Sequence, residues 1–406
     1  MSSTSTLPPR SRERFLPAGV YLLAFSLFAM GSAEFLLAGV LPAVATDIEV
    51  GLATVGGLIT AFAIGVVLGG PPFAVVSLRW PRRTALVVTQ VVFAAAIAVG
   101  LIIGSYGALL ITRFVAGLAY AGFFAVAAVT AVGLVPGDRA ARASGVVISG
   151  LSLAMILGGP AGTFIGYRTG WQGGFWLVVV LTVLAAAAVA VLMPPTTAGA
   201  EPRLDRELAA LRQPRLWLVL AATLLSTAAY MITFNYLAEL LTTVTGIADA
   251  WLAPILVLFG VGAYLGLAIG GRISDQRPYL ALIAGSAGIA LCSALIAITA
   301  GHAVAVVPLV LLLGIAGFVV NPAIYGRVFT IAAGAPTLAG ATTVSAFQLG
   351  IGLVPVIAGV VLNSGAQITA VPWIGAGLAL VTIPFVLIER ATADAGPFPD
   401  RSATAG

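Results

Sequence analysis

Two ionisable residues stand alone inside long apolar runs of the chain: Glu34, in the stretch 16–41, and Arg113, in the stretch 107–134. A charge at the centre of a membrane helix costs about 3 kcal/mol even on lenient insertion scales, so such a residue turns to the bundle interior and marks a pathway or a proton relay. Each lies about six or seven residues below the same end of its run, roughly 10 Å deep at 1.5 Å per residue. The two can share one level, although depth alone does not fix which way the helices face. Arg113, Gly117, Tyr120 and Phe124 follow at i, i+4, i+7 and i+11, within an arc of about 60°. A cation, a small residue and two rings on one stripe suit an aryl-bearing, amphipathic compound. In the second half of the chain the uncommon polar residues are Asn235, Asn321 before Pro322, and Gln348, with Tyr230, Phe234 and Tyr325 nearby. Uncharged amides can orient a neutral polar substrate or bond one helix to another. Tyr120, Phe124, Tyr230, Asn235, Asn321 and Gln348 are therefore the candidate substrate contacts.

Other chemistry is excluded by what the chain lacks. All nineteen basic residues are arginine, so there is no lysine for a Walker A loop, a Schiff base or a general base. One cysteine, Cys292, allows no internal disulfide, and with one histidine, His302, it makes no metal cluster. No G-x-S-x-G nucleophile elbow occurs, and neither a cofactor nor an enzymatic activity is expected. The net charge of +5 reflects where the arginines lie along the chain rather than a nucleic-acid partner.

The elements that must position these residues follow from composition. Of 406 residues 60% are hydrophobic and only 8% charged, with a mean hydropathy of +1.12, against about a quarter charged in soluble domains. The apolar residues fall into twelve blocks of membrane-crossing length, at 16–41, 53–77, 84–104, 107–134, 143–166, 173–193, 216–241, 251–273, 279–300, 303–325, 339–362 and 371–388. The first is too long for a signal-peptide core and reads as a retained helix. With a cytoplasmic N-terminus, seventeen of the nineteen arginines fall on the inner side, as the positive-inside rule requires, and both termini are then inside. The chain reads as an all-α polytopic protein of the inner or plasma membrane. A tail (1–15) precedes a six-helix half (16–193), a charged linker (194–215), a second six-helix half (216–390) and a second tail (391–406). The halves repeat at an offset of 197 residues, pairing Phe62 with Phe259, Gly65 with Gly262, Leu68 with Leu265, Gly69 with Gly266, Ser77 with Ser274 and Pro81 with Pro278. Two such halves about an axis along the membrane normal describe the major facilitator architecture, with a site between the halves near the midplane.

Several motifs carry a resemblance. They are Ala33-Glu34-Phe35-Leu36 leading to Leu41-Pro42, Ser77-Leu78-Arg79-Trp80-Pro81-Arg82-Arg83, Arg113 with Gly117, Gly159-Pro160, Gly170-Trp171 with Phe175-Trp176, and Gly271-Arg272 to Asp275 with Arg277-Pro278. Over roughly residues 17–390 the chain resembles the twelve-helix drug:proton antiporters of the major facilitator superfamily, most closely the actinobacterial chloramphenicol-resistance exporters. The resemblance implies proton coupling through Glu34 and Arg113, a small-molecule drug and protons as partners in the bilayer, and a functional monomer. It also implies gating by Arg79, Arg82, Arg83, Asp275, Gly159 and Pro160. The loop after the second span departs from the family signature G-x-L-a-D-R-x-G-R-R, with Ala74, Leu78 and Pro81 at the first glycine, the aspartate and the second glycine. The aspartate appears instead in the second half, as Asp275 opposite Leu78. Around Gly159-Pro160 only the core of the helix-5 signature G-x8-G-x3-G-P-x2-G-G is kept. Multidrug efflux and antibiotic resistance are the expected roles. Export of sugars or nucleosides, or a non-transporting sensor on the same fold, are the alternatives.

Overall fold

The computed structural model describes residues 16–76, 80–136, 139–194, 212–333 and 335–394. Among these, twelve helical spans are long and apolar enough to cross a membrane. The first four are α1 (Ala18–Asp47), α2 (Leu52–Val76), α3 (Arg82–Ile103) and α4 (Tyr106–Gly133). The fifth is composite, with α5 (Ala140–Leu153) running through a π-helical turn (Ala154–Gly158) into α6 (Gly159–Thr169), and α7 (Trp171–Leu192) completes the first half. The seventh span is also broken, into α8 (Pro214–Asn235) and α9 (Leu237–Thr243). It is followed by α10 (Leu252–Ser274), α11 (Pro278–Thr299), α12 (Ala303–Ile331), α13 (Pro336–Asn363) and α14 (Ala370–Asp394). An even number of crossings brings the two ends of the bundle to one face, called here the terminal face; the other is the distal face.

Local sequence explains most boundaries. Gly104 ends α3 at a left-handed φ of 69°, where the missing Cβ removes the steric penalty. Ser105 then caps α4 by accepting from the Ala108 amide. The π turn sits just before Pro160, which has no N–H to give and would crowd the preceding turn; widening the helix by one residue accommodates both. Some helices outrun their apolar cores: α1 continues through Pro42 to Asp47, and α12 and α14 extend to Ile331 and Asp394. α1 and α14 end on polar turns closing at Asp47 and Asp394, and α12 carries Arg327 one turn before its end, so the backbone stays helical past the apolar cores.

The internal repeat is visible in packing. A Cβ placed on Gly65 would overlap the carbonyl of Phe114, and one on Gly262 would overlap that of Leu311, 197 residues further on. In return, Gly117 lies against the Phe62 carbonyl and Gly314 against that of Phe259, again 197 residues apart. In both halves, then, the second and fourth spans touch backbone to backbone through matched glycines, the close approach that small residues allow in lipid. The halves meet away from the terminal face. On α2 and α13 the Thr60 hydroxyl donates to the Gly352 carbonyl at 2.8 Å, Gly56 abuts Pro355 and the Tyr236 hydroxyl, and Ala53 faces Gly359. A second seam joins the π turn to α10, where Gly260 is pressed on the Ile156 backbone. The space between the halves is thus closed toward the distal face.

Candidate functional site

Glu34 lies midway along α1 at the meeting of the halves. Its residue is partly exposed to the bundle interior, yet its Oε1 atom is buried with no hydrogen-bond partner. The groups that act on it most strongly are the Arg113 guanidinium, from α4 in its own half, and the Gln348 amide, from α13 in the other. The carboxylate in turn acts on the hydroxyls of Tyr120 in α4 and Tyr230 in α8. Tyr230 has Thr227 and Asn321 within reach and feels Tyr325 on α12. Five of the candidates read from the sequence, Glu34, Tyr120, Tyr230, Asn321 and Gln348, are thereby gathered around one centre.

Arg113 is 6% exposed and enclosed by its own half. Its guanidinium donates to the Ala33 carbonyl at 3.4 Å, adjacent to Glu34 in the chain. It also lies over two rings, Phe62 at 4.9 Å and Phe175 at 5.8 Å, contacts that attract a cation through the ring quadrupole. Among the described residues no ion pair closes between Arg113 and Glu34. The acid and the base are neighbours held apart, each with spare hydrogen-bonding capacity.

Spare capacity is the common property of this region. Buried polar atoms without a partner include Glu34 Oε1, Arg113 Nε, Thr227 Oγ1, Asn235 Nδ2, Tyr236 Oη and Asn321 Oδ1. Folded proteins satisfy the great majority of buried polar groups internally, so such a concentration at an interface between two halves is suited to a polar ligand or water. Beside it runs an aromatic chain: Phe35 meets Phe234 at 6.5 Å, Phe234 stacks on Phe259 at 4.2 Å, and Phe318 meets both Phe259 and Tyr230. Polar atoms and rings together match an amphipathic, aryl-bearing ligand. Asn235 sits at the break between α8 and α9, where the backbone leaves helical geometry. Phe124, on the same stripe of α4 as Arg113 and Tyr120, is half-buried against the apolar core. The stripe runs about three turns, and its far end meets different neighbours from its start.

The residues expected to gate are more dispersed. Arg79 lies outside the described residues. Arg82 donates to the Val129 carbonyl at 3.5 Å, tying the start of α3 to the end of α4, while Arg83 is half-buried on the same turn. Asp275 is exposed at the end of α10 and forms no ion pair among the described residues. Gly159 and Pro160 are buried at the π turn, with Gly159 against Phe35.

A charged cluster not singled out in the sequence occupies the terminal end of the second half. Glu389 on α14 is buried and accepts from Arg327 on α12 at 2.6 Å and from Arg215 on α8 at 3.1 Å. The Tyr279 ring lies beneath Arg327 at 5.0 Å and beneath Arg390 at 5.8 Å. The partners are 174 and 62 residues apart in the chain, and the only sequence signal was an acid at the edge of the last apolar block. At the distal face Asp47 similarly accepts from the Trp171 indole at 2.8 Å and the Gln172 amide at 3.0 Å, joining α1 to α7.

Comparison with known proteins agrees with this architecture. The family model of the Major Facilitator Superfamily matches residues 23–347. A chloramphenicol resistance protein of Streptomyces lividans is 38% identical over 390 residues, covering 94% of this chain and all of that protein. The inner membrane transport protein YdhP of Escherichia coli (strain K12) is 30% identical over 370 residues, 89% of this chain and 94% of its own. Among solved structures, the nucleoside transporter NupG superposes with a TM-score of 0.74 at 13% identity, over 92% of this chain and 98% of its own. A bacterial homolog of the human lysosomal transporter Spinster gives 0.69 at 17% identity, over 92% and 95%. At these identities the structural likeness speaks for the fold.

Proposed function

The chain belongs to the major facilitator superfamily and is a multi-pass membrane transporter, and we propose that it exports chloramphenicol or a similar small amphipathic drug in exchange for protons. The observation that carries this reading is Glu34: a carboxylate between the halves, with an unpartnered oxygen, an arginine beside it and an amide opposite. Such a group can hold a proton in one state and bind through its oxygens in the other. Arg113 keeps its charge throughout and biases the proton affinity of Glu34, so drug and proton need not occupy the site together.

In this reading the drug enters from the terminal face, lays its ring on the aromatic chain around Phe35 and Phe234, and engages Tyr230, Asn321 and Gln348 with its polar groups. Rocking of the halves then breaks the distal seam of Thr60, Gly56 and Ala53, exposes the site to the other side, and returns with Glu34 protonated. The arginine distribution supports a cytoplasmic terminal face, as the positive-inside rule would have it. The monomer carries the whole site, and the turns holding Arg82, Arg83, Asp275 and Gly159-Pro160 act as hinges and gates.

The test is a resistance and accumulation panel on expressing cells, with phenicols, sugars and nucleosides, each with and without a protonophore. Phenicol exclusion that collapses with the protonophore, and is absent in Glu34→Gln at equal membrane content, is expected. Uphill phenicol export persisting in Glu34→Gln ends the coupling assignment, and exclusion of sugars or nucleosides alone moves the substrate assignment to those classes.

A further inference from the structure

Besides the space between the halves, the first half contains a cleft of its own. It is narrow, about 350 Å³ only when the open solvent at its mouth is counted and about one water wide inside, and is walled by α1, α2, α3, α4 and α7. Its upper walls come from positions at the distal ends of these helices: Val44 three residues before the end of α1, Leu101 two before the end of α3, Leu109 three after the start of α4, and Trp171 opening α7. Its floor is formed by Leu58, Phe175 and Arg113. Seven residues of α4 separate Arg113 from Tyr106, a depth of about 10 Å. Almost all of this lining is hydrocarbon or aromatic; the exceptions are the Thr112 hydroxyl, which donates to the Ala108 carbonyl of its own helix, and the Arg113 guanidinium.

The second exception needs an explanation, because the guanidinium has five donors and cannot shed its proton. The contacts available inside the protein are one long bond to the Ala33 carbonyl and two ring faces, with the Nε donor left without a partner. No ion pair with Glu34 offsets the lost hydration. An apolar cleft is normally dry, but one floored by a guanidinium whose Nε donor has no partner attracts water. An acid also stands at its mouth, since Asp47 holds the indole of Trp171, and this favours water and cations over anions.

We infer that this cleft is a water channel from the distal face to Arg113, separate from the central site and open while the distal seam between the halves is shut. Resting on the reading of Arg113 as the fixed cation beside Glu34, it explains how that charge persists at depth without pairing. Hydrated from behind, the guanidinium need not close on Glu34 when the acid takes up a proton. Being unable to titrate, it also ends the water path as a proton barrier, so the channel can hydrate the site without short-circuiting it.

The experiment uses full-length protein in which Cys292, buried in α11, is replaced by alanine, and single cysteines are introduced at the floor (Leu58→Cys) and near the mouth (Leu101→Cys). Membrane vesicles are sorted by the protease sensitivity of a terminal tag, so that the face opposite the termini is known without assuming orientation in the cell. Silver ion, small enough for a one-water passage, is applied from that face and read as protection from later alkylation. Both cysteines are expected to react, and filling the cleft with Leu109→Trp, which blocks the passage sterically, should slow the Leu58→Cys reaction markedly while leaving other exposed cysteines unaffected. Should Leu109→Trp fail to insert, Leu101→Trp with Leu58→Cys serves in its place. No reaction at Leu58→Cys, or a rate that filling leaves unchanged, overturns the channel. Neither outcome depends on which drug is carried or whether Glu34 couples protons, so the two readings fail separately.

Discussion

Replacing Glu389 by alanine should be the most destabilising single change at the terminal face, and the structure orders its neighbours behind it. The Glu389 side chain is 3% exposed, and both arginines meet the same oxygen. Without the acid, Arg327, itself only 14% exposed, keeps its charge in a buried place with the Tyr279 ring as company. Stranding a buried charge in this way costs about 3–5 kcal/mol. Arg327→Ala removes the shorter bond but leaves the acid its second partner, so the loss is that of one hydrogen bond to a charged group, about 2 kcal/mol. Arg215 is 35% exposed and the longer of the two contacts, and its loss should cost below about 1 kcal/mol, the range of solvent-screened pairs. Thermal unfolding of the purified protein in detergent, read by retention on size exclusion, gives the order Glu389→Ala, then Arg327→Ala, then Arg215→Ala. Combining Glu389→Ala with Arg327→Met should recover much of the loss, because no unpaired buried charge then remains. Arg215→Ala matching Glu389→Ala, or a double variant no better than Glu389→Ala, would refute the reasoning, since either result means that the acid serves another partner.

Other substitutions test the packing and the seam. Gly262→Ala should destabilise strongly, its Cβ overlapping the Leu311 carbonyl, whereas Gly271→Ala nine residues on meets nothing within 4 Å and should be neutral; equal unfolding temperatures would contradict this. Gly65→Ala should match Gly262→Ala, as its counterpart in the repeat. Cysteines at Ala53 and Gly359 place their Cβ atoms 3.5 Å apart, within disulfide range. In a Cys292→Ala background they should cross-link by oxidation and arrest drug transport until reduced, and transport at full rate through the cross-linked form would mean that this seam does not open. Thr60→Val, which removes the donor to Gly352, should lower the yield of that cross-link by favouring the state open at the distal face. Unchanged yield would assign Thr60 no part in holding the seam.

The spans were legible because their signal is additive: a block of about twenty apolar residues needs no knowledge of its neighbours to be recognised. Phe62, Gly65 and their partners at the offset of 197 were legible for a related reason, since the same glycine contact recurs at both places and constrains the same residue types. The break between Asn235 and Tyr236 was not, as no proline or glycine stands there and Asn235 alone does not mark a helix end. The site was legible in depth but not in direction. Glu34 and Arg113 could be set at one level by counting turns, yet that Arg113 turns toward Phe62 and Phe175 while Glu34 turns toward Gln348 depends on helix rotations fixed by contacts between spans remote in the chain, such as Gly65 against the Phe114 carbonyl and Gly159 against Phe35. Phe124 shows the same limit, sharing a stripe with Arg113 but not its surroundings. Glu389 escaped notice because both of its partners come from other spans and, like it, lie at span ends, where charges usually reach water.

The repeat also locates the asymmetry on which the proposed coupling would rest. At the offset that superposes the glycine contacts, the counterpart of Arg113 is Val310 and that of Glu34 is Met231, both buried. The second half offers an apolar lining where the first offers a base and an acid, and it adds polarity through amides and hydroxyls. In a rigid-body exchange between two halves, Glu34 and Arg113 therefore travel together, and their separation changes little from state to state. What changes is the surface opposite: Gln348, Tyr230 and Asn321 sit on the other half and move relative to the acid as the halves rock. Under the proposed coupling, a proton affinity that must differ between the two faces would be set by the hydrogen-bond donors the second half presents to Glu34, against a constant background charge from Arg113. In that mechanism the arginine fixes the level about which the acid titrates, and the uncharged residues of the opposite half, together with the substrate, supply the difference between states.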